Sequence, residues 1–328
     1  MKRKSILITG GGGFIGSHLA EKFINEGHRV KVLDNFSTGN LNNIRALFNY
    51  KNFRLIYGDV RDKETLRKIT QDIDIIFHLA ALTNVDQSIV DPQTTYEVNT
   101  LGTLNILNIA LENYTDQVIV ASSSEVYGTA QYIPMDEKHP LCPASPYAAS
   151  KVAADRLCFS YYNTYKMNVT IIRNFNTFGP RQRSIGYGGV MPIFIRRVLQ
   201  GMPPIIYGDG KQTRDYIYIK DVVGAYDKIF NGYDSLAGKA INFGSGKEVL
   251  IIDLANMIID LCGNNLNVVH VAPRPGEVER LCADTSKARE ELGFELEYDL
   301  EKGLSEYIDW HKKGKYEEWR AYSEKTEV

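Results

Sequence analysis

The first half of the sequence alternates short apolar segments with amphipathic ones, and this alternation restricts the fold more than any other feature. Six segments have the length and β-branched content of buried strands: residues 5–9, 29–34, 53–59, 73–81, 117–123 and 168–176. The stretches between them carry apolar residues at helical spacing, for example Leu19, Ala20, Phe23 and Ile24. Strands that alternate with helices pair in parallel, with helices on both faces of the sheet. We therefore predict an α/β fold with a doubly wound parallel sheet of the Rossmann type.

The pattern changes after residue 178. A Gly- and Arg-rich segment, GPRQRSIGYGG, is followed by turns, short strand-like segments and two longer helical patterns. A loop composition of this kind is typical of a boundary between structural regions. We predict a cofactor-binding domain at residues 1–178, to which residues 215–240 return, and a smaller α/β domain for substrate binding, formed mainly by residues 179–328.

The composition favours small-molecule chemistry. Of the 328 residues, 44% are hydrophobic and 24% are charged, and the formal net charge is −2. This balance gives no electrostatic reason to expect nucleic acid or a membrane surface as a partner. The basic start, MKRK, precedes an apolar run that glycines soon interrupt, which is too short for a signal peptide. We expect a cytoplasmic protein.

The cysteines and histidines do not form a recognisable metal or disulfide pattern. Cys142, Cys158, Cys262 and Cys282 lie far apart, without a CxxC pair. We interpret them as reduced core thiols. His78 falls in a predicted buried strand, where a packed and hydrogen-bonded ring is more common than a ligand. We therefore predict no bound metal.

Gly10, Gly13 and Gly16 follow the first predicted strand and open the first predicted helix. Glycines at this spacing let the backbone approach a pyrophosphate, whose charge the helix N-terminus stabilises. Asp34 ends the next predicted strand, eighteen residues after Gly16. A carboxylate there accepts hydrogen bonds from ribose hydroxyls and repels a 2′-phosphate. The sequence therefore predicts a dinucleotide site that prefers NAD to NADP.

Tyr147 and Lys151 are four residues apart in the segment YAASK, so on a helix they share one face. A lysine ammonium beside a phenol stabilises the phenolate, which makes Tyr147 a candidate general base. Ser123 ends a predicted strand and offers a hydroxyl that can share the substrate oxygen. Together these residues predict removal of a hydroxyl proton as a hydride leaves the same carbon.

Several motifs occur in an order that resembles one family. They are TGGGGFIG, YGDV, HLAA, SSSEVYG, SPYAASK, RNFNTFGPRQ, GDGKQTRDYIYIKDV and PRPGEVER. This series is similar to the extended short-chain dehydrogenases/reductases that modify nucleotide sugars, namely 4-epimerases, 4,6-dehydratases and decarboxylases. The resemblance covers residues 6–310 and implies an NAD-dependent enzyme that acts on a nucleotide-diphosphate sugar. It also implies a homodimer formed through two helices of each subunit, one of them the helix of the YAASK segment.

The resemblance assigns roles to particular residues. It implies that the catalytic residues are Ser123, Glu125, Tyr147 and Lys151. It implies that the cofactor is bound by Gly10, Gly13, Phe14, Ile15, Gly16, Asp34, Asn35, Asp59, Val60, Leu79, Ala80, Ala81, Tyr147 and Lys151. It implies that the substrate is bound by Ser124, Asn176, Arg181, Arg214 and Arg274. Arg214 and Arg274 suit a pyrophosphate clamp on chemical grounds as well, because planar guanidinium groups bind phosphate bidentately.

Glu125 distinguishes among the reactions of the family. A sugar oxidised at carbon 4 has an acidic hydrogen on carbon 5, which a nearby carboxylate can remove so that the carbon 6 hydroxyl is lost. We therefore predict a nucleotide-sugar 4,6-dehydratase. The dehydratases of thymidine-diphosphate glucose typically carry Asp-Glu at this place, whereas this chain carries Ser124 and Glu125.

Other interpretations remain open at this stage. Ser-Glu also resembles the glucuronate decarboxylases, and the segment after Gly179 looks more like that of a 4-epimerase. In an epimerase, Glu125 is a carboxylate hydrogen-bonded to backbone near a strand end. A non-catalytic dinucleotide-binding regulator is a further alternative, which the presence of Ser123, Tyr147 and Lys151 disfavours.

Overall fold

A computed structural model of the chain describes residues 3–183, 189–273 and 278–314. Its first six strands are β1 Ser5–Thr9, β2 Arg29–Asp34, β3 Phe53–Tyr57, β4 Ile75–His78, β5 Gln117–Ser123 and β6 Val169–Asn174. The helices among them are α1 Phe14–Asn25, α2 Lys63–Thr70, α3 Val85–Val90, α4 Pro92–Tyr96, α5 Gly102–Glu112 and α6 Pro146–Tyr165. A π-helical turn at Glu97–Leu101 joins α4 to α5.

The remaining elements are shorter. The strands are β7 Asn176–Phe178, β8 Ile205–Tyr207, β9 Thr213–Arg214, β10 Tyr216–Tyr218, β11 Ala240–Phe243, β12 Val249–Leu250 and β13 Val269–Val271. The helices are α7 Val190–Leu199, α8 Ile219–Asn231, α9 Ile251–Cys262, α10 Ser286–Leu292 and α11 Leu300–Lys312. Within the described residues, no helix is both long and apolar enough to cross a membrane.

The described residues form two compact units. Unit 1 comprises residues 3–123, 145–173 and 226–241, and unit 2 comprises the other described residues, from 124–144 onward. The division expected from the sequence differs from these units, since residues 124–144 group with unit 2 and the segment that returns to unit 1 begins at Tyr226. The difference arises because residues 124–144 hydrogen-bond to the end of β11 and to residues 279–284.

Strands β11, β6, β5, β4, β1, β2 and β3 lie in this order in one seven-stranded sheet. The pairs from β5 to β3 are parallel. The chain builds the sheet outward from β1 to β3 on one side and then continues from β4 on the other. Ligands of such sheets bind where the strand order reverses, beyond the carboxyl ends of the strands. The predicted doubly wound α/β fold is confirmed.

The centre of the sheet is buried on both faces, since every residue of β1, β4 and β6 is buried, whereas the edge strand β3 is partly exposed. Ile6, Leu7 and Ile8 of β1 are fully buried in succession. Helix α1 packs with the apolar stripe expected from the sequence, and its residues Leu19, Ala20, Phe23 and Ile24 are buried. The rigid sheet and its helices fix the loops at the carboxyl ends of β1, β4 and β5.

Three predicted strands and one cysteine differ from the structure. Strand β3 ends at Tyr57, and β4 ends at His78, where the chain leaves the sheet toward the glycine-rich loop. The segment 168–176 divides at Phe175, because β7 pairs with β10 rather than with the large sheet. Cys142 is exposed, so it is not a core thiol.

A buried ion pair joins α6 to β6 inside unit 1. Arg173 Nε donates to Asp155 Oδ2 over 2.9 Å, and both side chains are 1% exposed. A buried charge of this kind is stable only while its partner is present. The pair therefore locks α6, the helix that carries Tyr147 and Lys151, against the sheet.

Arg173→Met is expected to lower the free energy of unfolding by about 3–5 kcal/mol, because it leaves the Asp155 carboxylate buried without its partner. Denaturant titration measures the change. Lys31→Met is the control, because its pair with the half-exposed Asp72 lies at the surface and is expected to contribute about 1 kcal/mol or less. Equal losses in the two variants would contradict the account of a buried pair.

Candidate active site

The glycine-rich loop after β1 packs so tightly that two of its glycines have no room for a side chain. Gly10 has a left-handed backbone with φ of +70°, and a Cβ there would lie 2.7 Å from the nitrogen of Ala80. A Cβ on Gly16 would lie 2.3 Å from the carbonyl oxygen of Gly10. The loop therefore contacts both the first turn of α1 and the segment after β4 directly through backbone atoms.

The N-terminus of α1 is suited to an anion. Its N-cap is Gly13, which has an extended backbone and no side chain that could accept from the first N–H groups of the helix. Phe14, Ile15 and Gly16 form the first turn. A helix start of this kind attracts phosphate through its N–H groups and the helix dipole. The loop thus fits the pyrophosphate of a dinucleotide.

Asp34 at the end of β2 faces this loop. Its carboxylate accepts from the nitrogen of Gly12 over 2.8 Å and from the nitrogen of Phe36 over 2.7 Å. Burial raises the pKa of Asp34, and the two N–H donors oppose that rise. Each carboxylate oxygen keeps acceptor capacity beyond its backbone bond. Asp34 can therefore shape the loop and still accept from ribose hydroxyls.

Asn35 and Asp59 lie beside Asp34 at the ends of neighbouring strands. The amide of Asn35 donates to Asp59 over 2.8 Å. Arg61 binds the same carboxylate over 2.9 Å, and this hydrogen bond lowers the pKa of Asp59. Val60 is buried, and its carbonyl oxygen accepts from Asn105 on α5. These contacts hold the predicted adenosine end of the site in place.

Leu79, Ala80 and Ala81 form the segment that leaves β4 next to the glycine-rich loop. The nitrogen of Leu79 donates to the carbonyl of Thr9, and the nitrogen of Ala80 lies 3.3 Å from the Thr9 hydroxyl. Hydrogen bonds from Leu79 and Ala80 to Thr9, at the end of β1, therefore fix this segment. All the predicted cofactor-binding residues of unit 1 thus cluster at the carboxyl ends of β1 to β4 and on α6.

Tyr147 and Lys151 lie one turn apart on α6, which begins at the N-cap Ser145. Each is only 6% exposed. The Lys151 ammonium donates to the carbonyl oxygen of Ala121 over 2.6 Å, two residues before Ser123 ends β5. Burial lowers the pKa of Lys151 to about 8, and the charge of Asp155 opposes that shift. Tyr147 and Lys151 are therefore buried one turn apart on α6, and Lys151 is hydrogen-bonded to β5 two residues before Ser123.

Sequence reasoning missed Asn99, which lies in the π-helical turn before α5. Its amide donates to the carbonyl of Leu82 and to the hydroxyl of Ser150, each over 2.9 Å. Its carbonyl oxygen accepts from the nitrogen of Leu82 over 2.8 Å. Asn99 therefore ties the segment after β4 to α6. The segment around Asn99, EVNTL, mixes polar and apolar residues and gives no sequence signal for this role.

His78 has the structural role that the sequence indicated. Its two ring nitrogens lie 2.7 Å from the hydroxyl of Thr9 and 3.0 Å from that of Thr103. Burial lowers the pKa of His78 to about 3, so the ring is neutral. Across residues 3–183, 189–273 and 278–314, no group of His, Cys, Asp and Glu side chains is arranged to hold a metal ion.

Glu125 lies in a short 3-10 turn at Ser124–Tyr127, directly after β5, and not within the strand itself. The turn closes with a hydrogen bond from the nitrogen of Gly128 to the carbonyl oxygen of Glu125. Ser124 is buried and Glu125 is half-buried. The turn follows Ser123 without an intervening residue, so the chain itself keeps Glu125 near the end of β5.

The predicted substrate residues of unit 2 lie on three segments. Asn176 on β7 pairs in register with Tyr216 on β10. Arg181 has a left-handed backbone with φ of +69°, which is unusual for a residue other than glycine. Arg214 on β9 donates to the carbonyl oxygens of Thr213 and Val278, each over 2.8 Å. Arg274 lies outside the described residues.

A family model described as GDP-mannose 4,6 dehydratase matches residues 7–307. The chain belongs to this family. The family predicted from the order of the motifs is thus confirmed, and so is the prediction of an enzyme of the nucleotide-sugar dehydratase or epimerase kind.

Proteins similar to this chain are named for different reactions. A candidate UDP-glucose 4-epimerase of Methanocaldococcus jannaschii is 39% identical, over 94% of this chain and 98% of its own. UDP-glucuronic acid decarboxylase 1 of Xenopus tropicalis is 35% identical, over 95% of this chain and 73% of its own. The NAD-bound crystal structure of DesIV, a dTDP-glucose 4,6-dehydratase of Streptomyces venezuelae, superposes with a TM-score of 0.89 at 31% identity, covering 94% of this chain and 97% of its own.

The Lys151 ammonium is expected to lose its proton near pH 8 rather than near its ordinary pKa of 10.5. It is charged below about pH 8, and this charge is lost as the pH rises through that value. Lysine side-chain carbon resonances, followed by NMR across a pH series, report the titration, and Lys151→Met identifies the signal. A Lys151 resonance that titrates at the ordinary value would contradict the effect of burial.

Proposed function

We propose that the protein is a nucleotide-sugar 4,6-dehydratase. The observation that carries this proposal is the turn Ser124–Tyr127, which places the Glu125 carboxylate two residues beyond Ser123. Tyr147 and Lys151 supply the base for the shared oxidation step of the family, and Glu125 supplies a second base. An elimination needs this second base, whereas a simple oxidation does not need one.

The proposed cofactor is NAD. The backbone cradle at Gly10 and Gly16, the uncapped start of α1 and the Asp34 carboxylate support this assignment. DesIV, which resembles the chain in fold, holds NAD. Bound at this site, NAD accepts a hydride from the sugar and later returns it. The proposed binding residues are those predicted from the sequence at the ends of β1 to β4 and on α6.

Tyr147 begins the proposed reaction. As the phenolate stabilised by Lys151, it takes the proton of the carbon 4 hydroxyl while the hydride leaves that carbon. Ser123, at the end of β5, donates a hydrogen bond to the same oxygen. The product of this step is a 4-keto sugar, whose carbonyl group acidifies the hydrogen on carbon 5.

Glu125 performs the proposed elimination. Its carboxylate takes the carbon 5 proton, and the carbon 6 hydroxyl leaves. Two protons have then been removed, one by Tyr147 and one by Glu125. One departs with the hydroxyl as water, and the other returns to carbon 5 when hydride adds to carbon 6. Ser124 is a neutral residue, so Glu125 can itself pass its proton to the leaving hydroxyl.

The proposed substrate is a nucleotide-diphosphate sugar held by unit 2. Asn176, Arg181, Arg214 and Arg274 are the proposed contacts to the diphosphate, together with Ser124 near the sugar. Guanidinium groups suit this task because they form paired hydrogen bonds with phosphate oxygens. The left-handed backbone of Arg181 supports a functional role, since strained backbone is often found at binding sites.

A 4-epimerase is the second candidate. It is favoured by the sequence relationship to the Methanocaldococcus jannaschii relative. In that reaction the keto sugar rotates and is reduced again, so Glu125 takes no part. A UDP-glucuronate decarboxylase is less favoured, because it requires a cationic group for the uronate carboxylate, and none is assigned to that task.

We further propose a cytoplasmic homodimer. Four large apolar side chains are exposed on α3, α4 and the π-helical turn, namely Ile89, Val90, Tyr96 and Leu101. Tyr165, at the end of α6, is exposed as well. These elements are neighbours in the fold, and large apolar side chains exposed together on neighbouring helices often mark an interface. A second copy of the same helices would cover it in a four-helix interface.

Glu125→Gln is expected to slow the loss of water by about 10²–10⁴-fold, the usual contribution of a general base, while hydride transfer from carbon 4 continues. Mass spectrometry of the product and the absorbance of the reduced nicotinamide measure the two steps. Glu64→Gln is the matched control, because Glu64 lies on the surface of α2. Undiminished loss of water in Glu125→Gln would contradict the proposal.

Gly16→Ala is expected to abolish tight binding of NAD, because the new Cβ would collide with the Gly10 carbonyl. Isothermal titration calorimetry on protein freed of nucleotide measures the affinity. Gly224→Ala on α8 is the control, because a Cβ there meets no atom within 4 Å. NAD affinity equal to that of the control would count against the proposed cradle.

Val90→Glu is expected to yield a monomer, because it puts a charge into the proposed helix interface. Light scattering after size exclusion measures the mass. Tyr114→Glu is the control, since Tyr114 is 90% exposed but lies in the turn before β5. A dimer that survives Val90→Glu would place the interface elsewhere.

A further inference from the structure

Tyr127 is a fully buried residue in the same turn as Glu125. It ends the turn Ser124–Tyr127 and is 0% exposed. Its phenol donates to the side-chain oxygen of Asn242 over 2.7 Å. Asn242 lies on β11 and is also 0% exposed. The turn is therefore anchored by a buried side-chain hydrogen bond two residues beyond the carboxylate.

Asn242 binds the 124–144 segment at three points. Besides accepting from Tyr127, its amide nitrogen donates to the carbonyl oxygen of Met135 over 2.9 Å. Its backbone nitrogen donates to the carboxylate of Glu137 over 2.9 Å. Asn242 thus holds both the turn at Tyr127 and the later part of the segment, at Met135 and Glu137. When buried polar groups all have hydrogen-bond partners, they favour a single conformation of the segment that carries them.

Packing around Tyr127 restricts the turn further. The ring of His139 meets the Tyr127 ring edge to face, with centroids 5.4 Å apart. The next residue, Gly128, has φ of +68°, and a Cβ there would lie 2.0 Å from the carbonyl oxygen of Cys142. The Gly128 nitrogen closes the turn onto the carbonyl of Glu125. Because the turn is so short, the backbone of Glu125 cannot shift unless Tyr127 shifts as well.

We propose that Tyr127 and Asn242 are positioning residues for the elimination step, which hold the Glu125 carboxylate at the carbon 5 hydrogen. This inference rests on the proposed dehydratase function. The phenol of Tyr127 donates its hydrogen bond to Asn242 and the whole side chain is buried in the core, so it acts through the backbone of the turn and does not touch the sugar. A catalytic group displaced by about 1 Å can lose about 10²-fold in rate.

The hydrogen bond serves the second chemical step and not the first. Tyr147 and Lys151 are fixed within unit 1 by the N-cap of α6 and the carbonyl oxygen of Ala121. Neither contact involves Tyr127 or Asn242. Loss of the Tyr127 phenol is therefore expected to leave oxidation at carbon 4 intact and to impair removal of the carbon 5 proton.

Tyr127→Phe tests the proposal, because it removes one oxygen atom and keeps the ring packing. We expect loss of water to slow by about 10–10²-fold, the range for a misplaced catalytic group, with hydride transfer from carbon 4 within about twofold of the unmodified enzyme. Single-turnover absorbance of the reduced nicotinamide measures the first step. Mass and deuterium content of the product in heavy water measure the second.

Tyr218→Phe is the matched control. Tyr218 is buried in the same unit, and its phenol donates to Glu306 over 3.0 Å, away from the Glu125 turn. We expect both steps of this variant to match the unmodified enzyme. Asn242→Ala removes the same hydrogen bond by deleting its acceptor. We expect it too to slow the loss of water and to leave hydride transfer from carbon 4 unchanged. It therefore provides the test if Tyr127→Phe does not fold.

The outcomes separate the inference from the function on which it rests. If the unmodified enzyme releases no water from any nucleotide sugar, the dehydratase proposal fails and this inference fails with it. If the unmodified enzyme dehydrates its substrate but Tyr127→Phe behaves like Tyr218→Phe, only the positioning role is overturned. Equal loss of both steps would likewise overturn it, since a general loss of structure explains that result.

Discussion

The buried ammonium of Lys151 is the constraint on which the candidate site depends. Its hydrogen bond to the carbonyl of Ala121 joins α6 to β5 two residues before the strand ends at Ser123. A buried cation needs such partners, and the ion pair of Arg173 with Asp155 joins the same helix to β6 one turn further along. The helix therefore has one position relative to the sheet, and the Tyr147 phenol has one position relative to the proposed nicotinamide site.

The parts of the fold encoded by local pattern were predictable. Strands β1, β2 and β5 have the predicted bounds, because each is a short apolar run that ends at a glycine, an aspartate or a turn. The glycine-rich loop and the spacing of Tyr147 and Lys151 have local signatures too. Contacts between distant residues were not predictable. Tyr127 and Asn242 are 115 residues apart in the sequence, and no pattern of apolar residues indicates that they form a hydrogen bond.

The turn that carries Glu125 shows why the family is easier to predict than the reaction. In the proposed reaction, the dinucleotide loop and the Tyr147–Lys151 pair serve an oxidation step that epimerases, decarboxylases and dehydratases share. The next step depends on one carboxylate and on the loop that orients it. That loop belongs to unit 2, where residues 124–144 are held by Asn242 and by hydrogen bonds to residues 279–284. The proposed dehydratase chemistry rests on the identity of Ser124 and Glu125, and the buried contacts of Tyr127 restrict the turn that carries Glu125.

The most direct test of the account is product analysis in heavy water. The purified protein with NAD is incubated with UDP-, GDP-, CDP- and TDP-hexoses, their acetylamino forms and UDP-glucuronate, and the products are examined by mass spectrometry. The account predicts a product that has lost one water and gained one solvent deuterium at carbon 5. A product of unchanged mass that is the carbon 4 epimer would contradict it, and Glu125 would then be a structural residue of an epimerase.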